Sequence, residues 1–169
     1  MKDPGEVLES LEGALVELAE AGVAGAVLVE GRRDAAALEA LGVGGTVEVL
    51  NRGSPILAVC DELAARHPHV TILTDWDPKG DELAQQLAAG LRRAAVTVDL
   101  GTRDALKRLT RGSIHAVEEL PSFHRRVSAA VASKGPSVKV ATDWKARKEQ
   151  TLARRASRKQ RGEPPGRRP

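Results

Sequence analysis

Val70-Thr71-Ile72-Leu73-Thr74-Asp75-Trp76-Asp77-Pro78-Lys79-Gly80-Asp81 is the stretch on which the fold turns. It reads as a strand over Val70 to Thr74 that runs out into acids at Asp75 and Asp77. Working outward, Ala26-Val27-Leu28-Val29 is a second continuous apolar run, as expected of a strand buried on both faces, and it too stops at an acid, in Glu30-Gly31-Arg32-Arg33-Asp34. In an open parallel sheet, ligands bind at the carboxyl ends of the strands. Along an extended segment, residues two apart face the same side. Asp75 and Asp77 are therefore expected to point at one spot, which Glu30 reaches from the neighbouring strand. Three clustered carboxylates repel one another unless a hard cation lies among them, and oxygen ligands of this kind select Mg²⁺ or Mn²⁺.

Helices and strands alternate around these two runs. Leu8, Leu11, Leu15 and Leu18 recur at helical spacing, which predicts an amphipathic helix over 6–21 stopped by Gly22. Helices are expected over 33–41, from Ser54-Pro55 to about Arg66, over 79–93 and over 103–109. One more is expected over 117–132, interrupted near Pro121. The remaining strands fall at 46–50 and 96–100. Strands separated by helices of this length imply right-handed crossovers and a parallel sheet. The fold class is thus α/β, a three-layer Rossmann-like domain with about four parallel strands and helices on both faces.

Composition supports one such domain with an appendage. The chain has 169 residues, 41% hydrophobic and 29% charged, a globular balance. No apolar run has the length of a bilayer crossing, and residues 1–5 lack a basic segment followed by an apolar one, so neither a membrane span nor a secretion signal is expected. Cys60 is the single cysteine, which excludes an internal disulfide and a cysteine-based zinc finger and suits a reducing cytoplasm. The net charge of +3 conceals an asymmetry: residues 1–138 carry 15 Lys and Arg against 20 Asp and Glu, residues 139–169 carry 11 against 3. We place a domain at 1–135 and a basic, partly disordered tail at 136–169.

The two acid-ended strands carry a family resemblance. Glu30-Gly31-Arg32-Arg33-Asp34 resembles the first motif of the Toprim fold, and Thr74-Asp75-Trp76-Asp77-Pro78-Lys79-Gly80-Asp81 resembles the second. Toprim is the metal-binding fold shared by topoisomerases, bacterial-type primases, recombination-repair proteins and ribonuclease M5-like maturases. The likeness spans about residues 23–99 and is strongest to small stand-alone Toprim proteins of archaea and bacteria. Asn51, Gly53 and Ser54 also resemble the loop after the second strand in the M5-like branch. The pairing of the two motifs is specific where either alone is weak. The resemblance implies Mg²⁺ or Mn²⁺ at Glu30, Asp75 and Asp77, with Asp81 as a further ligand candidate.

Each residue has a plainer reading. Asp75-x-Asp77 alone suits a turn or helix cap, Asp34 either caps the next helix or supports the metal ligands, and Asp81 suits a helix dipole. Lys79 either binds phosphate or neutralises the acids, and Gly31 and Gly80 are expected to permit close backbone approach. His67, His69, His115 and His124 show no zinc spacing. The chain has no tyrosine, which excludes the phosphotyrosine chemistry of topoisomerases, and it has no zinc or helicase-docking module of a full primase. Two functions remain. One is a Mg²⁺-dependent nuclease or phosphotransferase on RNA or DNA. In it Glu30, Asp75 and Asp77 are catalytic, and Arg32, Arg33 and Lys79 position phosphate. The other is a non-catalytic nucleic-acid or ribonucleoprotein binding module. In that reading the tail residues Lys145, Arg147, Lys148, Arg154, Arg155, Arg158 and Lys159 supply affinity.

Overall fold

The structure, a computed structural model, describes residues 3–50 and 53–133. The chain opens with α1 (Pro4–Ala24), capped by the Asp3 carboxylate, which accepts from the Gly5 N–H. Leu8, Leu11, Leu15 and Leu18 are fully buried, each contributing about 2 kcal/mol of transfer free energy. The helix does not stop at Gly22. That glycine lies inside α1 where the helix touches the 44–46 segment, and a Cβ there would come within 2.9 Å of the Gly44 carbonyl oxygen. The helix ends instead at Gly25, whose Cβ position lies 2.0 Å from the His69 carbonyl oxygen. Both glycines answer to packing between segments distant in sequence.

The remaining elements follow the expected alternation: β1 (Ala26–Val29), α2 (Arg32–Ala40), β2 (Val47–Val49), α3 (Ile56–Arg66), β3 (His69–Leu73), α4 (Pro78–Arg93), β4 (Thr97–Asp99), α5 (Gly101–Leu109) and α6 (Leu120–Ser133). A 3₁₀ turn at Val117–Glu119 leads into α6. The interruption expected near Pro121 is therefore the start of a helix, where proline is tolerated.

The four strands form one parallel sheet in the order β2-β1-β3-β4. Alternate residues of the central strands feed two cores. Val27, Val29 and Leu73 join Leu11, Leu15, Leu18, Leu106 and Phe123 on one face. Leu28, Val70 and Ile72 join Val59, Leu63, Leu87 and Leu91 on the other. The result is the expected three-layer α/β architecture. Cys60 is buried in the second core. From β1 the chain crosses outward to β2, then returns past β1 to β3, so the strand order reverses between β1 and β3. In sheets of this kind that reversal opens a crevice at the carboxyl ends of the two strands. Among the described residues no helix is long and apolar enough to cross a membrane. The boundary at 135, the tail and Asn51 lie outside the described residues.

Candidate metal centre

The register that sets Val29 beside Leu73 brings Glu30 to the residues that follow β3. Glu30 Oε1 accepts from the backbone N–H of Asp75 at 2.9 Å, and Asp75 Oδ1 accepts from the backbone N–H of Val117 at 2.9 Å. Each carboxylate thus accepts from a backbone N–H, which helps to fix its orientation as metal ligation requires. Asp34 lies buried beside this pair and caps α2, its Oδ2 accepting from the Gly31 N–H at 2.9 Å. Burial first, then the Asp75 carboxylate, and further down Glu30 and Glu118, push the Asp34 carboxyl above the ordinary aspartate range, against the pull of the Gly31 hydrogen bond. Of the two readings of Asp34, the structure shows the helix cap.

Asp77 is engaged at the start of α4. The backbone leaves the strand after Leu73 and bends at Trp76 and Asp77, so the two-residue alternation no longer applies. Its Oδ1 accepts from the Gly80 N–H at 2.6 Å as the cap of α4. Gly80 is where the close approach expected from sequence occurs. A Cβ there would lie 1.9 Å from the Asp75 carbonyl oxygen, and the Gly80 carbonyl accepts from the buried Thr74 hydroxyl at 2.8 Å. Gly31 has no such need, since a Cβ there would meet only Asp34 Oδ2 at 3.6 Å, an ordinary contact.

Asp81 points to two cations, Arg103 at 2.7 Å and Lys107, with which it forms a close ion pair. Hydrogen bonds from Lys107 first and Arg103 next hold its carboxyl below the usual range, against the opposing effect of burial.

Arg103 is the residue that sequence reading missed. Its side chain is 4% exposed. Its Nε donates to the Thr74 carbonyl at 3.0 Å, and one terminal nitrogen donates to both the Asp75 carbonyl and Asp81. One guanidinium therefore ties the end of β3 to the first turn of α4, which is the frame of the acid pair. The available signal was an arginine at positions i, i+3 and i+7 with Leu106 and Thr110, both buried, on what should be an apolar stripe. Val117, whose N–H anchors Asp75, carries no such signal, because its role rests on its backbone N–H meeting a carboxylate 42 residues away.

Of the proposed phosphate ligands, Arg32, Arg33 and Lys79 are all exposed. Arg33, 86% exposed, lies 3.9 Å from Glu118, a contact of little energetic weight. Lys145, Arg147, Lys148, Arg154, Arg155, Arg158 and Lys159 lie outside the described residues. His67 pairs with Glu48 and His124 faces Glu12.

Among the described residues no three His, Cys, Asp or Glu side chains converge as a ready-made metal shell. The donors present still suit Mg²⁺. This ion is commonly bound through one or two carboxylates, with water and substrate phosphate oxygens completing the octahedron. Glu30 and Asp75 are hard, oriented oxygen donors on adjacent strand ends, and a dication beside them would offset the charge of the clustered carboxylates.

This arrangement is that of a Toprim domain, and residues 25–100 match the Toprim domain family. A protein of Thermococcus gammatolerans is 42% identical over 103 residues, which cover 61% of this chain and 76% of that protein. One of Pyrococcus horikoshii is 42% identical over 105 residues, covering 62% and 77%. One of Methanosarcina acetivorans is 36% identical over 117 residues, covering 69% and 81%. All three are named UPF0292 proteins, and the chain belongs to this family of small Toprim proteins. A solved structure of an Aquifex aeolicus protein superimposes with a TM-score of 0.55 at 29% identity, covering 63% of this chain and 94% of that one. The family links the chain in general terms to divalent metal and to nucleic acid.

Proposed function

We propose that this protein is a Mg²⁺-dependent nuclease or phosphotransferase acting on RNA or DNA, with the metal held by Glu30 and Asp75 and aided by Asp77. The observation that carries this reading is the oriented acid pair at the switch point of the sheet. A bound Mg²⁺ supplies charge neutralisation at the phosphoryl oxygens and a more acidic water. The chain supplies the rest. Val117 and Arg103 hold Asp75 through its carboxylate and its carbonyl, Glu30 acts as ligand or general acid/base, and Arg32, Arg33 and Lys79 receive the flanking phosphates.

Cleavage of a labelled RNA and DNA panel with Mg²⁺, Mn²⁺ or chelator tests this. We expect metal-dependent cleavage that Glu30→Gln and Asp75→Asn abolish. The double variant Asp75→Asn with Asp77→Asn should also lose Mg²⁺ binding by calorimetry while staying folded, because asparagine caps a helix as well as aspartate does and still accepts from the Val117 N–H. Metal affinity unchanged in that variant removes the site from the reading. Metal binding without cleavage of any substrate favours the non-catalytic binding module.

A further inference from the structure

The charge of the folded body is segregated. Residues 1–100 carry 8 Lys and Arg against 17 Asp and Glu, whereas residues 101–133 carry 6 against 3. Structure turns the second set into a surface. A groove of about 370 Å³ is lined by Trp76, Asp104, Lys107, Arg108, Arg111 and His115, among others. A second, of about 440 Å³, shares Arg108 and Arg111 and adds Arg126 over an apolar floor that includes Val7 and Phe123. The two adjoin at the shared Arg108 and Arg111. We propose that this surface is a landing track for the sugar–phosphate backbone of a nucleic acid, leading to the acid pair. The proposal rests on the function proposed above and deepens it.

Three observations carry it. First, the cations outnumber what the local structure uses. Lys107 is engaged by Asp81, and Arg103 by Asp81 and two carbonyls. Arg108 and Arg111 are exposed and make no ion pair with any described residue, and Arg126 only lies over the Phe123 ring at 5.5 Å. A helix C-terminus favours Lys107 and Arg108, but Arg111 lies beyond α5 and Arg126 on another helix. Second, the groove is tied to the candidate centre. Trp76, between Asp75 and Asp77 in sequence, lines it. The Trp76 indole N–H donates to the Ile114 carbonyl at 3.0 Å and its backbone N–H to the His115 carbonyl at 3.1 Å. Third, the acids at Glu30, Asp34 and Asp75 repel a polyanion on their own, so an adjoining cationic surface is what brings one there. Among the described residues, Asp104 is the one acid in the lining of the two grooves. Such contacts read the phosphate backbone and not base edges.

The test uses the full chain in chelator, with anisotropy of a labelled DNA duplex titrated between about 50 and 200 mM salt. Arg108→Ala/Arg111→Ala/Arg126→Ala should lower the salt slope by up to about 2.7, so that the affinity lost over that range shrinks by as much as about fortyfold relative to the parent chain. The corresponding triple Lys variant should keep the slope, and calorimetric Mg²⁺ affinity should be unchanged in both. If the loss of the Arg126 contact with Phe123 unfolds the triple variant, Arg108→Ala with Arg111→Ala retains that contact and should lower the slope by up to about 1.8. An unaltered slope in a folded Ala variant overturns the track and leaves the nuclease reading standing. A parent chain that binds neither this duplex nor a labelled RNA of the same length overturns both.

Discussion

Replacing Arg103 with methionine should show how much of the candidate centre depends on one buried cation. Methionine keeps comparable length and packing but donates no hydrogen bond. The change strands the Thr74 carbonyl and the Asp75 carbonyl, which accept from Arg103, and Thr74 is 1% exposed, so water does not readily take the place of the lost donor. Hydrogen bonds from a charged donor are worth about 1.5–3 kcal/mol each. Asp81 adds little to the loss, because its side chain is 44% exposed and Lys107 still holds it. Allowing roughly 1 kcal/mol regained from apolar packing, the net loss should be about 2–5 kcal/mol. In a domain of this size that lowers Tm by roughly 6–15 °C. Urea denaturation of the purified variant measures the loss, and Mg²⁺ calorimetry tests whether the Asp75 carboxylate has drifted with its backbone. A loss below about 1 kcal/mol with unchanged Mg²⁺ affinity would refute the claim that Arg103 frames the site.

Gly80→Ala should cost about 3 kcal/mol, since its Cβ would overlap the Asp75 carbonyl at 1.9 Å. Urea midpoints measure it, and an alanine tolerated without loss would show that α4 and β3 can part freely. Asp34→Asn should stabilise the metal-free protein at pH 7, because the carboxyl is raised by burial and then by Asp75 and the asparagine still caps α2. The sign follows from linkage. A carboxyl with a raised folded pKa disfavours the fold once ionised, so the penalty is absent below the ordinary aspartate value and complete above the raised one. The gain should therefore vanish in acid and shrink when Mg²⁺ is added. Thermal melts across pH check both, and a gain independent of pH counts against repulsion as its cause.

The sequence by itself determined the element order, the parallel sheet and the identity of Glu30 and Asp75 as partners. Those depend on local apolar runs, on the acids that end them and on the handedness of crossovers, all of which are written along the chain. Only the tertiary structure decided which backbone group engages Asp77, at a bend that the alternation rule does not foresee. The same holds for Gly22, which serves packing and not helix termination, and for the groove formed by Arg108, Arg111 and Arg126, which belongs to two helices and a loop. Arg103 is the clearest case. A guanidinium can stay buried only where several acceptors converge to offset its lost hydration. Those acceptors, at Thr74, Asp75 and Asp81, lie 22–29 residues away in sequence and meet only when α5 docks against the end of β3.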